Sequence, residues 1–137
     1  MNRNELSQEQ KYLWFKKAFR TYNTHIENEN YIAAYVIGFS ILEDRINALF
    51  YTRKQNESEN SEGYFRHYKK LTYLNHHNDI SDVEMEEWKK EGDKRNNKIH
   101  AAMWRVDEFS EEDCTQVIAY ARDADRLRRE QKKSLGI

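Results

Sequence analysis

The chain has 137 residues, which points to one domain, 1–137, with enough length to bury a real core. Its 23 Lys and Arg stand against 24 Asp and Glu, a net charge of -1, so no global field draws it to nucleic acid or membrane. Any such partner must be held by a local patch. The single cysteine excludes an internal disulfide, the polar start MNRNELSQEQ lacks a signal core, and no apolar run spans a bilayer. These features read as a soluble, cytoplasmic protein.

Proline is absent and glycine is scarce, so little is available for tight hairpins and nothing interrupts long helices. Ser7 caps the first predicted helix with Gln10 as its box partner, and Tyr12, Phe15, Phe19, Tyr22 and Ile26 follow at helical spacing. Asn28 or Asn30 caps the second, which runs to about Lys54. Its stripe is Tyr31, Ala34, Tyr35, Gly38, Ile41, Leu42, Ile46 and Leu49. QNESENSEG, residues 55–63, reads as a mobile loop. A third helix carries Tyr64, Phe65, Tyr68, Leu71 and Leu74 and ends at His76 and His77, where a cation suits the helix dipole. SDVE, 81–84, is a capping box that opens the fourth. Ser110 opens the fifth, with Cys114, Val117, Ile118 and Ala121 facing in. Short links between amphipathic helices predict an all-α, up-and-down bundle of four to five helices. Most aromatic residues belong to its core, and any surplus suits a dimer face.

The fourth helix contains DKRNNKIHAAMW, residues 93–104. At about 100° per residue, Met85, Gly92, Ile99, Ala102 and Met103 fall within about 60° of Trp88. Arg95 falls about 20° from Trp88, in the middle of that apolar stripe, while Asn96, His100 and Trp104 form a line along its edge. An inward arginine needs a carboxylate or a wet cleft that awaits an anion. ILEDRINALF, residues 41–50, offers Glu43 and the better placed Asp44, but Arg45 also lies near the centre of its stripe. Two inward arginines facing few inward acids suggest a cleft able to hold phosphate. The opposite reading, a structural Arg95 paired with Asp44 beside a surface His100, stays open at this point.

Arg95-Asn96-Asn97-Lys98-Ile99-His100 resembles the signature of the HEPN superfamily, an arginine, a polar residue, three more residues and then histidine. GFSILEDRINALF likewise resembles the second helix of such proteins, which carries an acidic residue near the cleft. Spacing alone does not discriminate, because Arg20 and His25 repeat it; there the arginine lies off the stripe and is followed by Thr. The adjacent Asn and the inward position set Arg95 apart. The resemblance implies a dimeric helical bundle and a metal-independent endoribonuclease without cofactor, of the kind found among toxins and antiphage effectors. RNA or a nucleotide is then its ligand, and an antitoxin its partner in the toxin branch. It assigns catalysis to Arg95, Asn96 and His100, with Asp44, Glu43 and Arg45 in support. One departure is Ala102, where toxins paired with nucleotidyltransferase antitoxins carry a tyrosine that is modified. The alternative is an inactive module that binds RNA or nucleotide, or only dimerises.

Other features are more ordinary. Arg126, Arg128 and Arg129, followed by Lys132 and Lys133, compensate a helix C-terminus and form a secondary candidate for RNA backbone contact. Cys114 reads as a core thiol. No carboxylate or cysteine frames His76 and His77 as metal ligands, and no phosphate-binding glycine loop is present.

Overall fold

The computed structural model describes residues 7–57, 66–102 and 108–137. They form five helices: α1 (Gln8–Glu27), α2 (Tyr31–Asn56), α3 (His67–His76), α4 (Asp82–Ala102) and α5 (Glu111–Leu135). No strand occurs among the described residues, and no helix there is long and apolar enough to cross a membrane. The expected all-α bundle is therefore present.

The helix starts follow the capping chemistry. Ser7 Oγ accepts the Gln10 N–H, and the Gln10 side chain accepts the Ser7 N–H. Ser81 with Glu84, and Ser110 with Asp113, close the same reciprocal box. Between the two candidates for α2, Asn30 is the N-cap, its Oδ1 accepting the Ala33 N–H, while Asn28 ends α1. Gly136 closes α5 in the left-handed conformation, φ 73°, as a C-terminal cap requires. α2 runs two residues beyond the expected Lys54, so Gln55 and Asn56 are helical rather than part of the loop. The rest of that loop from residue 58, with Tyr64 and Phe65, lies outside the described residues, as do Met103 and Trp104.

α2 is the spine. It is apolar on several sides because α1, α3 and α5 pack against different faces of it. α1 returns antiparallel along it, and α4 runs antiparallel to both α3 and α5. α2 and α5 run in the same sense: Cys114 meets the start of α2 through the Tyr31 carbonyl, and Gln131 meets its later half through the Leu49 carbonyl. α3 also follows α2 in the same sense, with Lys70 on Asn47 and Tyr73 on Phe50. The alternation of direction is thus broken between α2 and α3. The Arg53 guanidinium grips Asp79 through two bonds of 2.7 and 2.8 Å, which anchors the α3–α4 turn to α2.

The core centres on Tyr35, Leu42, Ile46, Leu49, Trp88 and Val117, all essentially inaccessible to solvent. Cys114 lies among them; burial pushes its thiol up to about 11, and its Sγ–H points at the Tyr31 carbonyl. It is a packing residue, as its apolar face suggests.

α2 and α5 cross closely where Gly38 has no side chain. A Cβ there would stand 2.7 Å from Val117 Cγ1 and 3.6 Å from Tyr22 Cε2. Val117 is β-branched and fully buried, so it has little freedom to withdraw. We predict that Gly38→Ala destabilises the fold by about 1–3 kcal/mol through overpacking, despite the better helix propensity of alanine. Urea unfolding followed by Trp fluorescence measures this; a gain in stability would show that the helices separate without strain.

Candidate functional site

Three neighbours surround α4 and divide its faces. Trp88 points into the core, with its indole fully buried. Glu91, Lys94 and Lys98 turn toward α2 and α5. Gly92 and Asp93 meet the start of α3.

Arg95 occupies the position the wheel assigns, but its environment corrects the expectation of burial. Its guanidinium lies 5.4 Å from the centre of the Phe39 ring, and the residue is exposed. The stem is long enough to cover the edge of the core and leave the charge in water, stacked on the ring, so no desolvation penalty demands a buried carboxylate. Its Nη1 donates to Asn96 Oδ1 at 3.0 Å. No described carboxylate pairs with it. Asp44 is not its partner: Asp44 and Asp125 hold Arg45, at 2.7 and 3.4 Å. The Arg45 guanidinium also covers the Phe15 ring at 4.9 Å, and its side chain is only 14% exposed. Of the two arginines expected to face inward, only Arg45 does, and it finds its acids. Glu43 is exposed, and its charge acts on Lys70 of α3. Asp44 and Arg45 thus belong to the far side of α2 rather than to the α4 site, whereas Glu43 follows Phe39 by one turn, on the face of α2 that meets α3.

His100 is exposed, and no described residue forms a hydrogen bond with it. On a regular helix it projects about 140° from Arg95, with Asn96 between them. The α5 arginines are partly engaged. Arg126 pairs with Glu130 at 3.0 Å, Arg129 approaches Asp125 at 3.9 Å, and Arg128 is half-buried and donates to Gln131. His76 and His77 end α3 as expected. No cluster of three or more His, Cys, Asp or Glu able to hold a metal occurs among the described residues.

The polar interior of the bundle lies on the next face of α4. Glu91 is 3% exposed; its Oε1 accepts the Tyr35 hydroxyl at 2.9 Å and its Oε2 meets Lys94 Nζ at 3.3 Å. Lys94 continues to Asp113 Oδ1 at 3.3 Å and to Gln116, and Lys98 holds Asp113 Oδ2 at 2.7 Å and the Glu108 carbonyl. Burial and the adjacent Glu91 push the Tyr35 phenol far above its ordinary range, so it remains a donor. The wheel that selects Arg95 also places Glu91 about 60° from Trp88, so this buried carboxylate had a signal in the sequence.

A second missed group is His67, the first residue of α3. Its Nε2 lies 2.9 Å from the Trp88 carbonyl oxygen, and its ring faces Phe39 at 6.0 Å. Gly92 makes this approach possible, since a Cβ there would stand 2.7 Å from His67 Cδ2. Tyr68 follows and donates to Asp93. Arg95 and His67 therefore both lie close to the Phe39 ring.

Burial alone would raise the Asp113 carboxyl, but the Lys98 bond, the Ser110 N–H and the charges of Lys94 and Lys98 outweigh it and hold it at about 2 rather than 3.8. A carboxyl depressed on folding contributes its full stability above about pH 4 and loses it as pH falls toward 2. We predict that Asp113→Asn costs about 2 kcal/mol at neutral pH and flattens the loss of stability across that acid range. Urea midpoints between pH 2 and 7 test this; an unchanged acid slope would assign the transition to other groups.

Comparison with models of known protein families gives no match, and comparisons with curated proteins and with solved structures likewise give none.

Proposed function

We propose that the chain is an endoribonuclease of the HEPN type. Arg95 carries this reading. Its guanidinium is exposed, stacked on Phe39 and steadied by Asn96, and no described carboxylate neutralises it. A planar cation held in this way suits two oxygens of a phosphodiester and the charge that builds on them in the transition state. RNA supplies its own nucleophile. A base takes the 2′-hydroxyl proton as O2′ bonds to phosphorus, and an acid gives a proton to O5′ as the P–O5′ bond breaks. The products are a 2′,3′-cyclic phosphate and a 5′-hydroxyl. His100 is one of the two proton-transfer groups, because an imidazole can both accept and donate a proton. A toxin or antiphage role, with an antitoxin in the former case, follows from the same resemblance.

The homodimer implied by that resemblance has surface to bury. Tyr12, Leu13 and Trp14 of α1 are each more than half exposed. Beside them a groove of about 550 Å³ is lined by Phe15, Ala18, Ile37 and Ile41. A second copy seated on α1 and α2 covers this apolar surface. Trp14→Glu is expected to shift the protein to monomer in sedimentation velocity; a wild-type monomer at high concentration would remove this interface.

A non-catalytic reading, in which the module only binds RNA or a nucleotide, draws on one observation: nothing in the described chain orients His100. Incubating purified protein with single-stranded RNA in chelator separates the two. We expect His100→Ala to lower cleavage by about 10²–10⁴-fold with unchanged melting, since the residue is exposed. Arg95→Ala is expected to lower it by about 10²–10³-fold. Full activity in His100→Ala overturns the catalytic assignment, and binding without cleavage by the wild type establishes the module.

A further inference from the structure

We propose that Tyr68 and Asp93 form a base-binding subsite that selects guanosine in single-stranded RNA, next to the phosphodiester held by Arg95. The proposal rests on the ribonuclease reading above and names what that site reads. Around α4, Asp93 lies about 20° from His100 and about 60° from Asn96, and it precedes them along the axis by about 10 Å and about 5 Å. Asn96 accepts the Arg95 Nη1–H at 3.0 Å. Asp93, Asn96 and His100 thus occupy one exposed strip of α4. A nucleotide whose phosphate meets Arg95 beside Asn96 has its base within reach of Asp93.

Tyr68 comes to this strip from the first turn of α3. Its hydroxyl donates to Asp93 Oδ2 and fixes the carboxylate. The ring is 44% exposed, whereas Tyr35 and Trp88 are fully buried. Lys89 Nζ stands 5.7 Å from the ring centre, and the ring also borders an open cleft of about 410 Å³ together with Lys69, Thr72, Tyr73 and His76. An exposed ring held at its hydroxyl end is a platform for a stacked base, and stacking by itself accepts any base. α3 carries no acidic residue and brings Lys69 to the same surface, which suits the RNA backbone.

Asp93 supplies the discrimination. Among the described residues its one hydrogen-bond partner is Tyr68, through Oδ2. An ionised carboxylate only accepts, and each of its oxygens takes more than one hydrogen bond. Beside a polyanion such a group is repulsive unless it meets N–H groups on a base. Guanine presents two adjacent donors, N1–H and N2–H, on its Watson–Crick edge. Adenine and cytosine pair one donor with a ring acceptor there, and uracil sets a single donor between two carbonyls. A base stacked on Tyr68 turns that edge toward the carboxylate that holds the hydroxyl, and only guanine satisfies both oxygens.

The test uses the full chain and an oligouridylate carrying one guanosine, beside the same oligomer without it. The guanosine is expected to raise kcat/KM by about 10–100-fold and to place the cut at an adjacent phosphodiester. Inosine in its place lacks the 2-amino group and is expected to lose most of that gain. Asp93→Asn is expected to abolish the preference with melting unchanged, whereas loss of a mere tie between helices affects all oligomers alike. The same preference is expected in fluorescence anisotropy with labelled 2′-deoxy analogues, which bind without being cut. Cleavage of both oligomers at equal rates overturns the guanosine site and leaves the ribonuclease reading standing. A preference that survives in Asp93→Asn overturns the assignment too. Wild-type protein that cuts neither oligomer but binds the guanosine analogue more tightly, with that preference lost in Asp93→Asn, removes the ribonuclease reading and supports the subsite. Neither cleavage nor preferential binding overturns both.

Discussion

Glu91 brings a carboxylate into the interior at 3% exposure, and the need to compensate that charge positions α4. The Tyr35 hydroxyl supplies a hydrogen bond from α2, and Lys94 supplies the opposite charge from the next turn. Lys94 and Lys98 then converge on Asp113, which is also the box residue that starts α5. Three helices are joined through side chains that cannot separate without stranding a charge in a low-dielectric interior. Such a chain of ion pairs does little for stability over a well-packed apolar core. It does select the rotation of α4 about its own axis, because slipping by one residue would unpair every member.

That rotation determines what α4 offers to solvent. With Trp88 inward and Glu91 toward α2 and α5, Arg95 necessarily comes out over Phe39, and Gly92 faces the start of α3. Trp88 and Glu91 lie below the surface, and Arg95, Asn96 and His100 are exposed above them. Arg95 and His67 both approach the Phe39 ring, and the His67 imidazole meets the Trp88 carbonyl. The second helix has two distinct roles. One face presents Phe39 to this site, and the other pairs Arg45 with Asp44 and Asp125 beside an open apolar groove.

Local chemistry is what the amino-acid pattern expresses directly. Capping boxes at Ser7, Ser81 and Ser110 place three helix starts, because the partners lie three residues apart and no distant contact is involved. The inward set on α5, from Cys114 to Ala121, follows from periodicity alone. The end of α2 is less legible, since Gln55 and Asn56 are helix-tolerant residues that simply extend a long helix. For Arg95 the wheel is right about direction and wrong about burial. Angle around a helix says which neighbour a side chain meets, whereas depth depends on how far that neighbour reaches. An arginine that lies over an aromatic ring with its charge in water needs no acid.

By itself the sequence determined an all-helical chain, the starts of most helices, the apolar stripes and the Arg95-Asn96-His100 line, all set by spacing within single helices. Tertiary structure alone decided that α2, α3 and α5 run in one sense, that Asp44 serves Arg45, that Glu91 anchors a buried ion network and that His67 meets the Trp88 carbonyl. These are contacts between residues tens of positions apart. They depend on which helices become neighbours and at what height, and the closeness of those approaches is set at Gly38 and Gly92, where a missing side chain lets another element in.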